Sequence, residues 1–117
     1  MEHRWGSRLA VDVEVRLVCG RNVIASGRLR DVSMSGAFIE TDLQPLLLAP
    51  LRVQADIERW GTTERLQIPS WVVRRDVSGI GVEWHALGPP GVGELLELAL
   101  HREVTRFPAR RTVDSRP

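Results

Sequence analysis

Apolar and polar residues alternate along most of this chain, and that alternation restricts the fold more than any other feature. From Leu9 to Leu17 the valines and leucines at odd positions share one face, and charged residues share the other. A period of two is typical of a β-strand with one buried face. Five further segments follow, separated by turn-forming residues. The six predicted strands span residues 9–17, 23–30, 37–41, 51–58, 63 to about 74, and 80–84.

The hydrophobic period becomes helical after the Gly-Pro-Pro sequence at residues 88–90. Pro108 ends this helical pattern, and charged residues lie opposite its apolar face. Six short strands followed by one amphipathic helix predict a mainly β fold, a six-stranded antiparallel barrel with a C-terminal α-helix. The apolar positions of the helix are Val92, Leu95, Leu96, Ala99, Leu100 and Val104.

The two ends of the chain differ in composition from this body. Residues 1–8 are polar and contain Gly6 and two arginines, which predicts a flexible arm. Residues 9–105 form the predicted barrel and helix, and residues 106–117 a disordered tail. Within the strands, Gly27 predicts a β-bulge, and Pro69 predicts either a bulge or an exposed strand edge.

Composition restricts the function classes. A chain of 117 residues is expected to form one domain. Its net charge of +1 gives no overall attraction to DNA or to a membrane. Cys19 is the only cysteine, and no apolar run follows Met1, so neither an internal disulfide nor a signal peptide is predicted. We therefore expect a cytoplasmic protein that neither binds DNA nor inserts into membranes.

No set of residues suited to catalysis is recognisable. His3, His85 and His101 lack metal-ligand spacing to one another and to Cys19. The sequence contains neither a nucleophile elbow nor a glycine-rich phosphate loop. The carboxylates fall mostly on the polar faces of strands and helix. The sequence predicts no enzyme, no metal site and no cofactor.

Two short patterns remain. Arg4-x-x-x-Arg8 is uninformative alone, because sixteen basic residues, all arginine, give about two such pairs by chance. Asp31-x-Ser33-x-x-Gly36 is rarer, although a second copy begins at Asp76 and turns favour these residue types. The order is more informative: the paired arginines precede the first strand, and Asp31 follows Arg8 by 23 residues.

Together the two patterns resemble those of the PilZ domain family. The resemblance extends to the start of the first strand at residues 8–15, the turn at residues 31–41 and the last strand at residues 79–84. It covers roughly residues 2–105. PilZ domains are six-stranded barrels, and members with both motifs bind the bacterial second messenger cyclic di-GMP. The resemblance implies that this chain does so too.

The resemblance also assigns roles to residues. It implies that Arg4 and Arg8 wrap the ligand as an arm, while Asp31, Ser33 and Gly36 form the floor. Arginine suits phosphate oxygens and the O6/N7 edge of guanine, and Asp31 can accept from the N–H donors on guanine's other edge. The family often doubles the first arginine, whereas here His3 precedes Arg4, which removes one cation.

Trp71 lies where some PilZ domains place an aromatic side chain that stacks on guanine. An indole ring could contribute about 1–3 kcal/mol per stacked base. A partly buried tryptophan of the barrel wall explains the residue equally well.

The resulting prediction is a single-domain cyclic di-GMP receptor whose surface changes on binding and thereby acts on a protein partner. One alternative is a PilZ-like adaptor that binds proteins but no nucleotide. Another is a small barrel that binds single-stranded nucleic acid, suggested by the arginines and tryptophans. The near-neutral net charge argues against the latter.

Overall fold

The computed structural model describes residues 8–99. For Arg59 it describes the backbone alone. Within that range six antiparallel strands close into a barrel in the order β1-β2-β3-β6-β5-β4. The predicted barrel is confirmed, and the strands agree with the alternation pattern to within a few residues. Their bounds are β1 Leu9–Cys19, β2 Asn22–Val32, β3 Gly36–Glu40, β4 Pro50–Arg59, β5 Thr62–Asp76 and β6 Gly79–Trp84.

One face of each strand fills the barrel interior. In β1 the odd-numbered residues point inward, so that Val15 and Leu17 are almost completely buried while the charged residues between them face solvent. The same alternation in β4 and β5 places Val53 and Ile68 in the core. Branched aliphatic side chains from all six strands therefore form one continuous core.

Three glycines lie where backbones approach closely. A Cβ on Gly79 would overlap the carbonyl oxygen of Ile39, and one on Gly36 would overlap that of Val82. Because neither glycine has a side chain, β3 and β6 can approach closely. In this pairing Gly36 lies opposite Glu83, and Gly79 lies opposite Glu40. Gly27 is not at a bulge: it pairs in register with Val15. A Cβ there would instead collide with the carbonyl oxygen of Glu40, so close packing explains this glycine.

Pro69 lies in a regular part of β5, opposite Arg52 of β4. Its carbonyl oxygen accepts the His85 N–H at 3.1 Å, on the side where β6 has already ended at Trp84. In a strand the N and O atoms of one residue point to the same side, so the missing N–H of Pro69 costs no bond to β4. The predicted edge strand is wrong, because β5 pairs with both β4 and β6 in the closed barrel; Pro69 is tolerated because its nitrogen faces the side where β6 has ended. The bulge of β5 lies farther along, between Val72 and Arg74.

A helix, α1, begins at residue 92 and is described to residue 99. Its apolar face joins the barrel core through Val92, Leu95 and Ala99, all buried. Gly91 introduces the helix with φ of +99°, and a Cβ there would lie 3.1 Å from Ile68. The helix thus packs on the barrel core, as predicted. No helix within residues 8–99 is long and apolar enough to cross a membrane.

The contact between β3 and β6 predicts a strong dependence of stability on Gly79. We expect Gly79→Ala to lower the free energy of unfolding by about 1–3 kcal/mol or more, because the new methyl group must displace backbone rather than a flexible side chain. Urea unfolding followed by circular dichroism measures this.

Gly93→Ala is the matched control. A Cβ at Gly93 meets no atom within 4 Å, and alanine favours a helix over glycine by up to about 1 kcal/mol. Stability should therefore stay level or rise. Equal losses in both variants would contradict the steric role of Gly79.

Candidate functional site

Outward-facing residues of five adjacent strands form one lateral row across the barrel surface. Ala10 of β1 lies opposite Asp31 of β2, and Asp31 lies opposite Phe38 of β3. Phe38 pairs with Gly81 of β6, which in turn pairs with Arg74 of β5. The row therefore brings an acidic, an aromatic and a basic side chain from distant parts of the chain onto one face.

Arg8 and Asp31 join the two sequence motifs directly. The Arg8 Nη1 donates to the Asp31 Oδ1 at 2.7 Å, and the two side chains are 43% and 30% exposed. The same carboxylate oxygen accepts the backbone N–H of Phe38 at 3.2 Å. Arg8 therefore has a protein partner without a bound anion, because β1 pairs with β2 and places Arg8 beside Asp31. Arg4 lies outside the described residues.

Ser33 builds the turn between β2 and β3. Its hydroxyl oxygen accepts the backbone N–H groups of Ser35 and Gly36, both at 3.2 Å. Its own N–H donates to the Gly36 carbonyl at 2.8 Å, and the residue is completely buried. Within the described residues, Ser33 thus holds the turn shape and contributes no exposed hydroxyl. Its predicted contact with a ligand stays a prediction.

The same turn is attached to β6 by Trp84. The Trp84 indole N–H donates to the Ser33 carbonyl at 3.0 Å, and its backbone N–H donates to the Ser35 carbonyl at 2.9 Å. Trp84 is a core residue. Gly36 completes this junction, because only glycine can lie so close to the Val82 carbonyl. Its close approach to a neighbouring strand accounts for glycine here, and its place in a ligand floor remains a prediction.

Trp71 is on the outer face rather than in the core. It lies opposite Glu83 in the β5–β6 pairing, and 39% of it is exposed. Its ring packs against His85 with centroids 4.2 Å apart and planes tilted by 37°. A partly buried tryptophan of the barrel wall, the other interpretation of Trp71, agrees with this exposure and with the contact to His85. A ring stacked on a ligand stays a prediction, and His85, which the sequence did not single out, would support that ring.

Sequence reasoning also missed Arg74 and Phe38. The Arg74 guanidinium lies over the Phe38 ring, with Cζ 5.6 Å from the centroid. A large apolar residue at an outward position beside the Asp31 turn was the available signal for Phe38. No sequence signal gives the orientation of Arg74, because the bulge before it reverses the alternation of β5.

The second Asp-x-Ser-x-x-Gly copy has a different structure. Asp76 Oδ1 accepts the Ser78 hydroxyl at 2.7 Å, the Ser78 N–H at 2.8 Å and the Gly79 N–H at 3.2 Å. These bonds, above all the one from the Ser78 hydroxyl, hold the pKa of Asp76 below its usual 3.8. Gly79 pairs with Glu40, so this turn lies at the opposite end of the β3–β6 pair from the Ser33 turn.

Comparison with known proteins agrees with this geometry. The family model of the PilZ domain matches residues 2–101. The chain belongs to the PilZ domain family. The crystal structure of the PilZ domain of CeSA from a cellulose-synthesizing bacterium superimposes with a TM-score of 0.59 at 20% identity. The alignment covers 83% of this chain and 98% of that one. No curated protein sequence matches the chain.

The buried Ser33 hydroxyl should matter for stability of this PilZ domain. We expect Ser33→Ala to lower the free energy of unfolding by about 1–3 kcal/mol, because two backbone N–H groups lose their acceptor in a buried turn. Ser78→Ala is the control, since its hydroxyl bonds to an exposed carboxylate, and it should change stability by less than about 0.5 kcal/mol. Chemical denaturation compares the two. Equal effects would contradict a structural role for Ser33.

Proposed function

We propose that this PilZ domain is a non-catalytic receptor for cyclic di-GMP and that it binds the ligand on the outer face that carries Asp31. The observation that carries the proposal is the 2.7 Å contact between Arg8 and Asp31. These residues belong to two separate motifs that the family associates with this ligand. Their contact means that one ligand could engage both motifs.

The chemistry of the two side chains is complementary to the two parts of the ligand. A guanidinium donates in a planar fork that suits a phosphate or the O6/N7 edge of guanine. Among the described residues, the donors that reach the Asp31 carboxylate bond to Oδ1. Its Oδ2 is therefore oriented by backbone and open to accept from guanine N–H groups. Arg4 would add a second cation from the arm.

The action of the receptor would follow from the same contacts. Ligand phosphates would draw in the arm and change the surface around the Ser33 turn, which a protein partner could then recognise. The proposal places this in the cytoplasm, where the second messenger is made. The partner is a downstream protein, and neither DNA nor a membrane is involved.

Arg8→Ala should cost more binding than any other substitution in residues 1–8, with Arg4→Ala close behind. Loss of one charge-assisted hydrogen bond costs roughly 1.5–3 kcal/mol, or about ten- to a hundredfold in affinity. Isothermal titration calorimetry with cyclic di-GMP measures this. The unfolding free energy of Arg8→Ala should fall by at most about 1 kcal/mol, because the lost ion pair is exposed. If Arg8→Ala binds cyclic di-GMP with an affinity within twofold of wild type, the arm is not part of the binding site.

The two copies of the Asp motif provide a matched pair of variants. Asp31→Ala should abolish most binding, because it removes the carboxylate that faces the site and contacts Arg8. Asp76→Ala should leave affinity nearly unchanged, since Asp76 closes a turn at the other end of the barrel. Each variant is titrated with cyclic di-GMP after its cooperative unfolding is checked. A loss confined to Asp76→Ala would place the site elsewhere, and no binding by wild type would favour the protein-binding adaptor.

A further inference from the structure

Arg74 lies flat against the outer face of the barrel. A Cβ added to Gly81 would lie 3.5 Å from the Arg74 Cβ, 3.6 Å from its Cζ and 3.7 Å from its Nε. The side chain thus runs across Gly81 along its whole length and ends over the Phe38 ring. Because Gly81 has no side chain, the guanidinium can extend from β5 across β6 to β3.

The bulge in β5 is what directs Arg74 outward. In a regular strand, residues three positions apart point to opposite faces. Trp71 lies opposite Glu83, yet Arg74 lies opposite Gly81, so one extra residue is inserted between Val72 and Arg74. Trp71 and Arg74 therefore share the outer face. Bulges of this kind often redirect a side chain beside a binding site.

Arg74 differs in its partners from Arg28 and Arg65. Arg28 donates to Asp12 at 2.7 Å, and Arg65 donates to Asp56 at 2.9 Å, so both charges are compensated within the barrel surface. Within residues 8–99 no carboxylate lies within ion-pair distance of Arg74, although its charge is among the causes that lower the pKa of Asp76. A guanidinium on an aromatic ring keeps its N–H edge available for an anion.

We propose that Arg74 is a ligand-binding residue and forms the second cationic wall of the site, with its guanidinium over Phe38 and opposite Arg8 and Asp31. This rests on the proposed function. Cyclic di-GMP consists of two equivalent halves, each with one guanine and one phosphate. Arg8 and Asp31 can engage one half, and Arg74 with the exposed ring of Trp71 can engage the other.

The dimensions of the row suit this arrangement. The backbones of Asp31 and Arg74 stand three inter-strand spacings apart, about 14 Å along the sheet, and the Arg74 side chain crosses this distance as far as Phe38. Between them lie the Phe38 ring and the Gly81 backbone, with Gly36 next to this pair on β3. Neither glycine adds a side chain to this surface, and the Arg74 side chain occupies the space over Gly81.

Titration of matched variants with cyclic di-GMP tests the proposal. Arg74→Ala should weaken binding about ten- to a hundredfold, through loss of one charge-assisted contact. Arg75→Ala is the control: it removes the same charge from the next residue, whose Nη1 donates to the Pro45 carbonyl. Its affinity should stay within twofold of wild type. Arg74→Lys should give an intermediate loss, because lysine keeps the charge but not the planar fork.

Phe38→Leu tests the positioning of the guanidinium without removing any charge. We expect a two- to fivefold loss of affinity, the value of one exposed cation–π contact. If wild type binds and Arg74→Ala binds within twofold of it, the second wall is overturned while the proposed function stands. Equal losses of affinity in Arg74→Ala and Arg75→Ala would also overturn the second wall, because removal of positive charge anywhere on this face would then explain both losses. Absence of binding by wild type would overturn the proposed function and this inference with it.

Discussion

The close contact between β3 and β6 determines the rest of this structure. Gly36 and Gly79 stand at opposite ends of that pairing, and each lies against a backbone carbonyl where any larger residue would collide. Since β3 follows β2 while β6 pairs with β5, this contact joins β1-β2-β3 to β6-β5-β4, and the pairing of β1 with β4 completes the barrel. It also places Phe38 beside Gly81, so that one surface row can extend from Asp31 to Arg74. The join between the two halves of the barrel and the row of candidate site residues therefore both depend on this close approach.

The Asp-x-Ser-x-x-Gly motif divides into two physical roles. Asp31 faces outward, fixed by a backbone N–H and by Arg8. Ser33 and Gly36 are buried, and they form the turn and its contact with β6. Substitution of the latter two could remove ligand binding by loss of the turn alone. An effect on binding at either position therefore needs a stability measurement before it is read as a ligand contact.

Local patterns in the sequence predicted the strands and the helix, and the resemblance implied that Arg8 and Asp31 share one site. Alternation is set by burial of one face, and consecutive strands usually pair, so β1 and β2 could be placed together. The orientation of Arg74 could not be predicted, because the bulge after Val72 shifts the register by one residue and reverses which side chains face out. The bulge predicted at Gly27 was wrong for a related reason. A side chain at this position would collide with the carbonyl oxygen of Glu40, 13 positions away, and a contact between distant residues cannot be seen in the pattern of one strand.

The exposed Arg8–Asp31 pair has a consequence for how a ligand could enter. Ion pairs between partly exposed side chains are worth about 0–1 kcal/mol, so Arg8 can be drawn toward a phosphate at little cost. Asp31 does not lose its orientation when Arg8 leaves, because the Phe38 N–H holds the same oxygen. The carboxylate that would recognise guanine and the guanidinium that would bind phosphate are thus held independently. On the proposed function, Arg8 could follow a phosphate while Asp31 stays in place, and phosphate capture and base recognition would then be separable steps on one surface.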